Sequence, residues 1–112
     1  MLPKPQRLNL KKDFKWTVSG KKLEAKYLKL FVKIGNNQIP KVGIAVSGKI
    51  FPKATGRNRV RRLTSAAFEV LYSNLPKDIN ILALPKAGIN KVKSSDIVLD
   101  LEKILRDEKI IN

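Results

Sequence analysis

Arg57-Asn58-Arg59-Val60-Arg61-Arg62-Leu63 is the stretch around which the rest of the chain is organised. It gathers four of the six arginines into six consecutive positions. The apolar residues Val60, Leu63, Ala67, Val70 and Leu71 recur at i, i+3, i+7, i+10 and i+11. That spacing predicts an amphipathic helix over 57–73. Its first turns are crowded with cations, which face the unfavourable end of the helix macrodipole. Arg57 and Arg61 are also like charges at i, i+4. A helix built against its own electrostatics answers to an external partner, and guanidinium forks suit phosphate. On a helical wheel Arg57, Asn58, Arg61, Arg62 and Ser65 form one polar face. Val60, Leu63, Ala67 and Leu71 lie opposite, toward a sheet, and Arg59 falls to the side.

Outward from this helix the chain reads as an α+β protein. Upstream, Ser47 to Gly56 is a connection that carries Lys49 and Lys53. Val42, Ile44 and Val46 alternate as a strand, with room for one extra strand within 37–46, and Gly35-Asn36-Asn37 is a turn. Residues 26–34 alternate strictly: Leu28, Leu30, Val32 and Ile34 on one face, Tyr27, Lys29, Phe31 and Lys33 on the other. Residues 10–19 form a short helix with Asn9 as cap and Gly20 as stop. Pro3 and Pro5 make residues 1–6 an extended arm. Downstream, Pro76-Lys77-Asp78 turns into an apolar strand over 79–84, central and covered on both faces. Pro85 ends it. Ser94 or Ser95 caps a last helix over 96–108, with Ile97, Val98, Leu101, Ile104 and Leu105 as its apolar stripe. The order is α-β-β-(β)-α-β-α. At 112 residues the expectation is a single domain spanning 1–112.

The net charge of +15 is distributed unevenly. Residues 1–68 hold seventeen Lys and Arg against two acids, Asp13 and Glu24, whereas residues 69–112 hold seven of each sign. The whole excess therefore lies in the first three-fifths of the chain, which implies a broad polyanion-binding surface. There is no histidine, so imidazole acid–base chemistry and a Ser-His-Asp arrangement are excluded. Without histidine or cysteine a zinc site is not expected. A two-metal nuclease needs clustered carboxylates, and the basic part has only two. Asp96, Asp100 and Asp107 share a face of the last helix, but Lys103 on that face makes a solvated, charge-paired surface the expectation. No Walker loop or GxGxxG is present. No apolar run reaches the roughly 20 residues of a membrane span, and no signal-like apolar segment opens the chain. The expected location is the cytoplasm, with no membrane partner and no obligate protein partner.

A second candidate site is the aromatic and lysine face of strand 26–34. Tyr27, Lys29, Phe31 and Lys33 alternate π-faces with cations, the combination that single-stranded nucleic acid needs. Phe14 and Val18, four apart, share one helix face. Tyr27 and Phe31 fit equally well as sheet-covering core. Trp16 fits core, cleft wall or nucleic-acid contact.

Lys49-Ile50-Phe51-Pro52-Lys53-Ala54-Thr55-Gly56 followed by RNRVRRL resembles the signature of the bacterial ribonuclease P protein family, which follows a strand like Val42-Gly43-Ile44-Ala45-Val46-Ser47. Arg7-Leu8 with Asp13-Phe14, Ala66-Ala67-Phe68 and Asp78 to Pro85 are similar to other parts of that family. The chain departs from it at Val18, Gly48, Phe51, Ser65 and Leu84. The resemblance implies a two-layer α-β sandwich, with a sheet of about four strands and a left-handed β-α-β crossover. It implies that Lys49, Lys53, Arg57, Asn58, Arg59, Arg61 and Arg62 bind the catalytic RNA subunit. It places Phe14, Lys15, Trp16, Val18, Tyr27, Lys29, Phe31 and Lys33 around a cleft for the 5′ leader of precursor tRNA. Hydrolysis is then the work of the RNA subunit with bound magnesium, no residue here is catalytic, and no organic cofactor is involved. The rival expectations are a ribosomal or ribosome-assembly protein, a DNA-binding module and, more remotely, a free-standing nuclease.

Overall fold

Strand 79–85 is apolar except for Asn80, and the fold accounts for that by placing it inside a sheet. The computed structural model describes residues 2–111. Its elements run α1 (Leu10–Val18), β1 (Lys21–Glu24), β2 (Leu28–Ile34), β3 (Lys41–Ile44), α2 (Ala54–Leu71), β4 (Ile79–Pro85) and α3 (Ser94–Asp107). The four strands form one mixed sheet in the order β1-β2-β4-β3. β2 pairs antiparallel with β1 and β4, while β3 runs parallel to β4 and reaches it through α2. With neighbours on both sides and side chains buried on both faces, β4 has no use for polar residues. Asn80 is the exception, and its side-chain amide donates to the Asn37 Oδ1 at 2.8 Å.

One sheet face carries the main core. Leu28, Leu30 and Val32 of β2, Val42 of β3 and Ile79, Ile81 and Ala83 of β4 pack there against Val60, Ala67, Phe68 and Leu71 of α2 and Ile97, Leu101 and Leu105 of α3. Ile34 continues the alternation but lies beyond the core and is exposed. α1 lies on the other face, over β2 and β4. The approach is close: a Cβ on Gly43 would stand 2.7 Å from Leu10 Cδ2 and 3.1 Å from Leu8 Cβ. Asn9 caps α1 by accepting from the N–H groups of Lys11 and Lys12.

Several sequence expectations are corrected. The additional strand is β1 at 21–24, not a segment within 37–46. Lys21-Lys22-Leu23-Glu24 has one apolar residue, Leu23, and an edge strand with one face in contact needs no more. Strand 26–34 is shortened to 28–34, because residues 25–27 form the β1–β2 turn. Asp100 of α3 builds that turn by accepting the N–H groups of Lys26 at 2.9 Å and Tyr27 at 2.8 Å. Asp100 is thus a structural acceptor instead of part of a solvated face. Val46 lies outside β3 and packs against the core.

The N-terminal arm is not extended. Lys4–Gln6 is a 3-10 turn with Pro5 in its first turn, where a missing N–H costs little. Leu2 is buried, its N–H donating to Ser65 Oγ at 3.2 Å, and Leu8 N–H donates to the Val42 carbonyl. Ser65 accordingly leaves the polar face assigned to it and is 2% exposed. Val70 leaves the apolar stripe and is 63% exposed, its place taken by Phe68. α2 starts three residues earlier than the apolar spacing predicts and ends at Leu71, followed by a 3-10 turn over Tyr72–Asn74. α3 is capped by neither Ser94 nor Ser95. Lys93 holds the cap position, its N–H bonded to the Asp96 carboxylate at 3.1 Å.

Candidate nucleic-acid interface

The sheet face under α1 is only half covered, and the uncovered half is a cleft. Thr17 faces the sheet and is fully buried. At 100° per residue, Phe14 and Val18 fall on one flank of α1 and Trp16 on the other. The Phe14 flank borders a cavity of about 350 Å³. Its floor is Lys29 of β2 and Leu84 of β4, and its far wall is the β3–α2 connection at Val46, Ser47 and Ile50. Phe14 is 40% exposed at its edge. An aromatic ring, an apolar floor and a lysine suit an unstacked base with its phosphate.

The expected cleft residues divide into groups. Phe14 and Lys29 line the cavity together. Val18 is half-buried on the same flank, Lys15 is exposed on α1, and Phe31 is half-buried between Lys29 and Lys33 on the sheet face. Trp16 and Lys33 meet on the opposite flank, with Lys33 Nζ 4.8 Å from the centre of the Trp16 ring and 2.7 Å from Ser19 Oγ. Gly35 lets the indole lie close, since a Cβ there would be 2.9 Å from Trp16 Cη2. Tyr27 precedes β2 and packs against the main core, with Lys26 over its ring at 5.4 Å. The structure therefore does not gather Tyr27, Trp16 and Lys33 with Phe14.

Leu84, Ile50 and Lys86 also line the cavity, a role the sequence reading did not assign them. Ile50, a large apolar residue in a polar connection, is the signal that was available. Lys86 is largely committed: it pairs with Glu24 and donates to the Ala25 carbonyl at 2.7 Å. The Lys86 hydrogen bond holds the Glu24 carboxyl below its ordinary pKa. Lys22 makes a second, looser pair with Glu24 at 3.6 Å. One of the two acids of the basic part is thereby claimed internally, which leaves the lysines of this face to an outside anion.

The arginine run occupies the first half of α2. Lys49, Lys53, Asn58, Arg59 and Arg62 are exposed, and Arg57 and Arg61 are half-buried. Arg61 Nη1 donates to Asn58 Oδ1 at 3.3 Å. Arg57 Nη1 donates to the carbonyls of Phe51 at 3.0 Å and Pro52 at 2.9 Å. The helix has no acid in its first turn and no side-chain cap. Among the described residues Arg59 and Arg62 join no ion pair. They are the arginines most available to phosphate. Replacing both with alanine is expected to reduce the log–log salt slope of RNA binding by about 1.4–1.8, at roughly 0.7–0.9 per phosphate contact. Fold stability should hold, since both side chains are exposed and alanine is the better helix former. Titration of binding at several salt concentrations, with thermal melting alongside, measures both. An unchanged slope would make the helix a bystander.

The family model described as Ribonuclease P matches residues 2–109. A ribonuclease P protein component from Pseudanabaena sp. (strain PCC 6903) is 31% identical, over 100% of this chain and 98% of its own. Another from Legionella pneumophila (strain Lens) is 32% identical, over 89% of this chain and 86% of its own. Among solved structures, the RNase P protein from Thermotoga maritima superposes with a TM-score of 0.79 at 25% identity, covering 90% of this chain and 96% of its own. The Staphylococcus aureus RNase P protein shares the fold, with a TM-score of 0.80 at 21% identity over 96% of this chain and 98% of its own.

Proposed function

The chain belongs to the ribonuclease P protein family, and from that premise we propose that it is the protein subunit of a ribonuclease P ribonucleoprotein. In this reading α2 and the connection before it bind the catalytic RNA subunit. The cleft beside α1 takes the 5′ leader of precursor tRNA. The particle removes that leader by endonucleolytic hydrolysis, in the cytoplasm, without an organic cofactor. The observation that carries the reading is the pairing of two basic surfaces with different characters. One is a convex helix with free guanidinium groups, suited to a folded phosphate surface. The other is a concave, aromatic-edged cleft, suited to an unpaired strand.

The chemistry is assigned to the RNA subunit and to magnesium held by its phosphates. The protein's own donor set fits such an ion poorly. Among the described residues no three acids stand together, and Glu24 is tied to Lys86. What the protein supplies is binding: charge to hold two RNA molecules and an aromatic edge to align the leader. No helix among the described residues is long and apolar enough to cross a membrane.

The RNA that copurifies with the chain from its native cell tests the proposal. Ribonuclease P RNA is expected as the enriched species, with precursor tRNA carrying intact leaders beside it. Enrichment of ribosomal RNA instead would replace this reading with that of a ribosomal or ribosome-assembly protein.

A further inference from the structure

We infer that Arg57, the first residue of the arginine run, is a positioning residue that builds the wall of the leader cleft and is not a phosphate ligand. The inference rests on the function proposed above. The connection between β3 and α2 serves two surfaces at once. Val46, Ser47 and Ile50 line the cavity, while Lys49 and Lys53 stand exposed beside α2. Yet residues 45–53 belong to no strand or helix, so their backbone must be held by other means.

Its ends are tied by the Ala45 N–H to the Ala83 carbonyl and by the Arg57 N–H to the Lys53 carbonyl, both at 3.0 Å, and three attachments hold what lies between. Ser47 accepts the N–H groups of Lys49 and Ile50 on its hydroxyl, and that of Phe51 on its carbonyl at 2.9 Å. The Phe51 side chain is buried in the main core and pins the middle of the connection. The Phe51 and Pro52 carbonyls then meet Arg57 Nη1, at 3.0 and 2.9 Å. One nitrogen thus spends both hydrogens inside the protein, two of the five that a guanidinium offers. Charge-assisted bonds of this kind are stronger than neutral ones, and the half-buried stem helps keep the group in place.

Ile50 sits next to Phe51, so whatever holds the Phe51 carbonyl also sets where the cleft wall stands. Arg57 therefore acts on the leader through the connection, although it lines no part of the cavity. Arg59 and Arg62, exposed on the same helix, have no such attachment and remain for the RNA subunit.

The test uses holoenzyme reconstituted with the RNA subunit and measures affinity for precursor tRNA over affinity for mature tRNA. Arg57→Met keeps the stem and removes the donors; Arg62→Met is the comparison. Arg57→Met is expected to lower the ratio by about fivefold to tenfold, the worth of a lost charged hydrogen bond or less. Arg62→Met should weaken binding of the RNA subunit and leave the ratio alone. Arg57→Met with a wild-type ratio, together with an RNA-subunit salt slope reduced by roughly 0.7–0.9, would make Arg57 a phosphate ligand and overturn the inference. A wild-type ratio of one would overturn the leader cleft itself, a distinct failure. Should Arg57→Met not fold, Arg57→Lys decides: it keeps the cation but not the pair of bonds made by Nη1, so a lowered ratio with an unchanged salt slope is expected, and a wild-type ratio would overturn the inference.

Discussion

Protein stripped of all RNA should leave precursor tRNA uncut in magnesium, and cleavage at the mature 5′ end should appear when the RNA subunit is added. This is the largest effect expected of the system, because it is the difference between activity and none. The chain has no histidine to move a proton near neutral pH. Its basic part has two carboxylates, Asp13 and Glu24. Glu24 bonds to Lys86 and has a lowered pKa, so it is a weaker base than a free carboxylate. Phosphodiester hydrolysis needs an activated water and stabilisation of the leaving oxygen, and two-metal sites provide both. Among the described residues no group of three acids could hold such ions, whereas RNA phosphates offer donors for magnesium. Omitting each component in turn from a reconstituted mixture measures this. Magnesium-dependent cleavage by rigorously RNA-free protein would refute it.

Phe14→Ala should selectively weaken binding of leader-bearing precursor by about 1–3 kcal/mol, the usual worth of a base stacked on an aromatic ring. Affinity for mature tRNA should scarcely change, since it has no leader, and RNA-subunit binding should survive because α2 is untouched. Phe14 is the aromatic residue at the cavity edge. At 40% exposure its truncation leaves little void, unlike the roughly 3–5 kcal/mol lost when a buried phenylalanine is removed. Phe31 is the less clean choice, because it is half-buried and its loss would mix packing with binding. The measurement is the precursor-to-mature affinity ratio of the holoenzyme, with melting temperature alongside. A preserved ratio would remove Phe14 from the leader site.

The sequence by itself determined the class of the fold, the amphipathic α2 and α3, the central apolar β4 and the location of the charge. These are local or one-dimensional properties: periodicity reports which face is buried, and formal charge needs no coordinates. It also carried the association of an arginine run with a partner rich in phosphate, because seventeen cations against two acids cannot be neutralised within residues 1–68. Tertiary structure decided what depended on distant neighbours. β1 has a single apolar residue and forms because β2 offers it an open edge. Asp100 reads as a surface acid until the turn at residues 25–27 meets it, seventy-odd positions away in the chain. Ser65 reads as polar surface until Leu2 arrives to donate to it. The candidate cleft followed the same rule. Phe14, Trp16, Tyr27 and Lys33 have the right chemistry, but which of them share a hollow depends on how α1 crosses the sheet. That crossing is set by Leu8 and Leu10 seated on Gly43, a contact that no spacing along the chain announces.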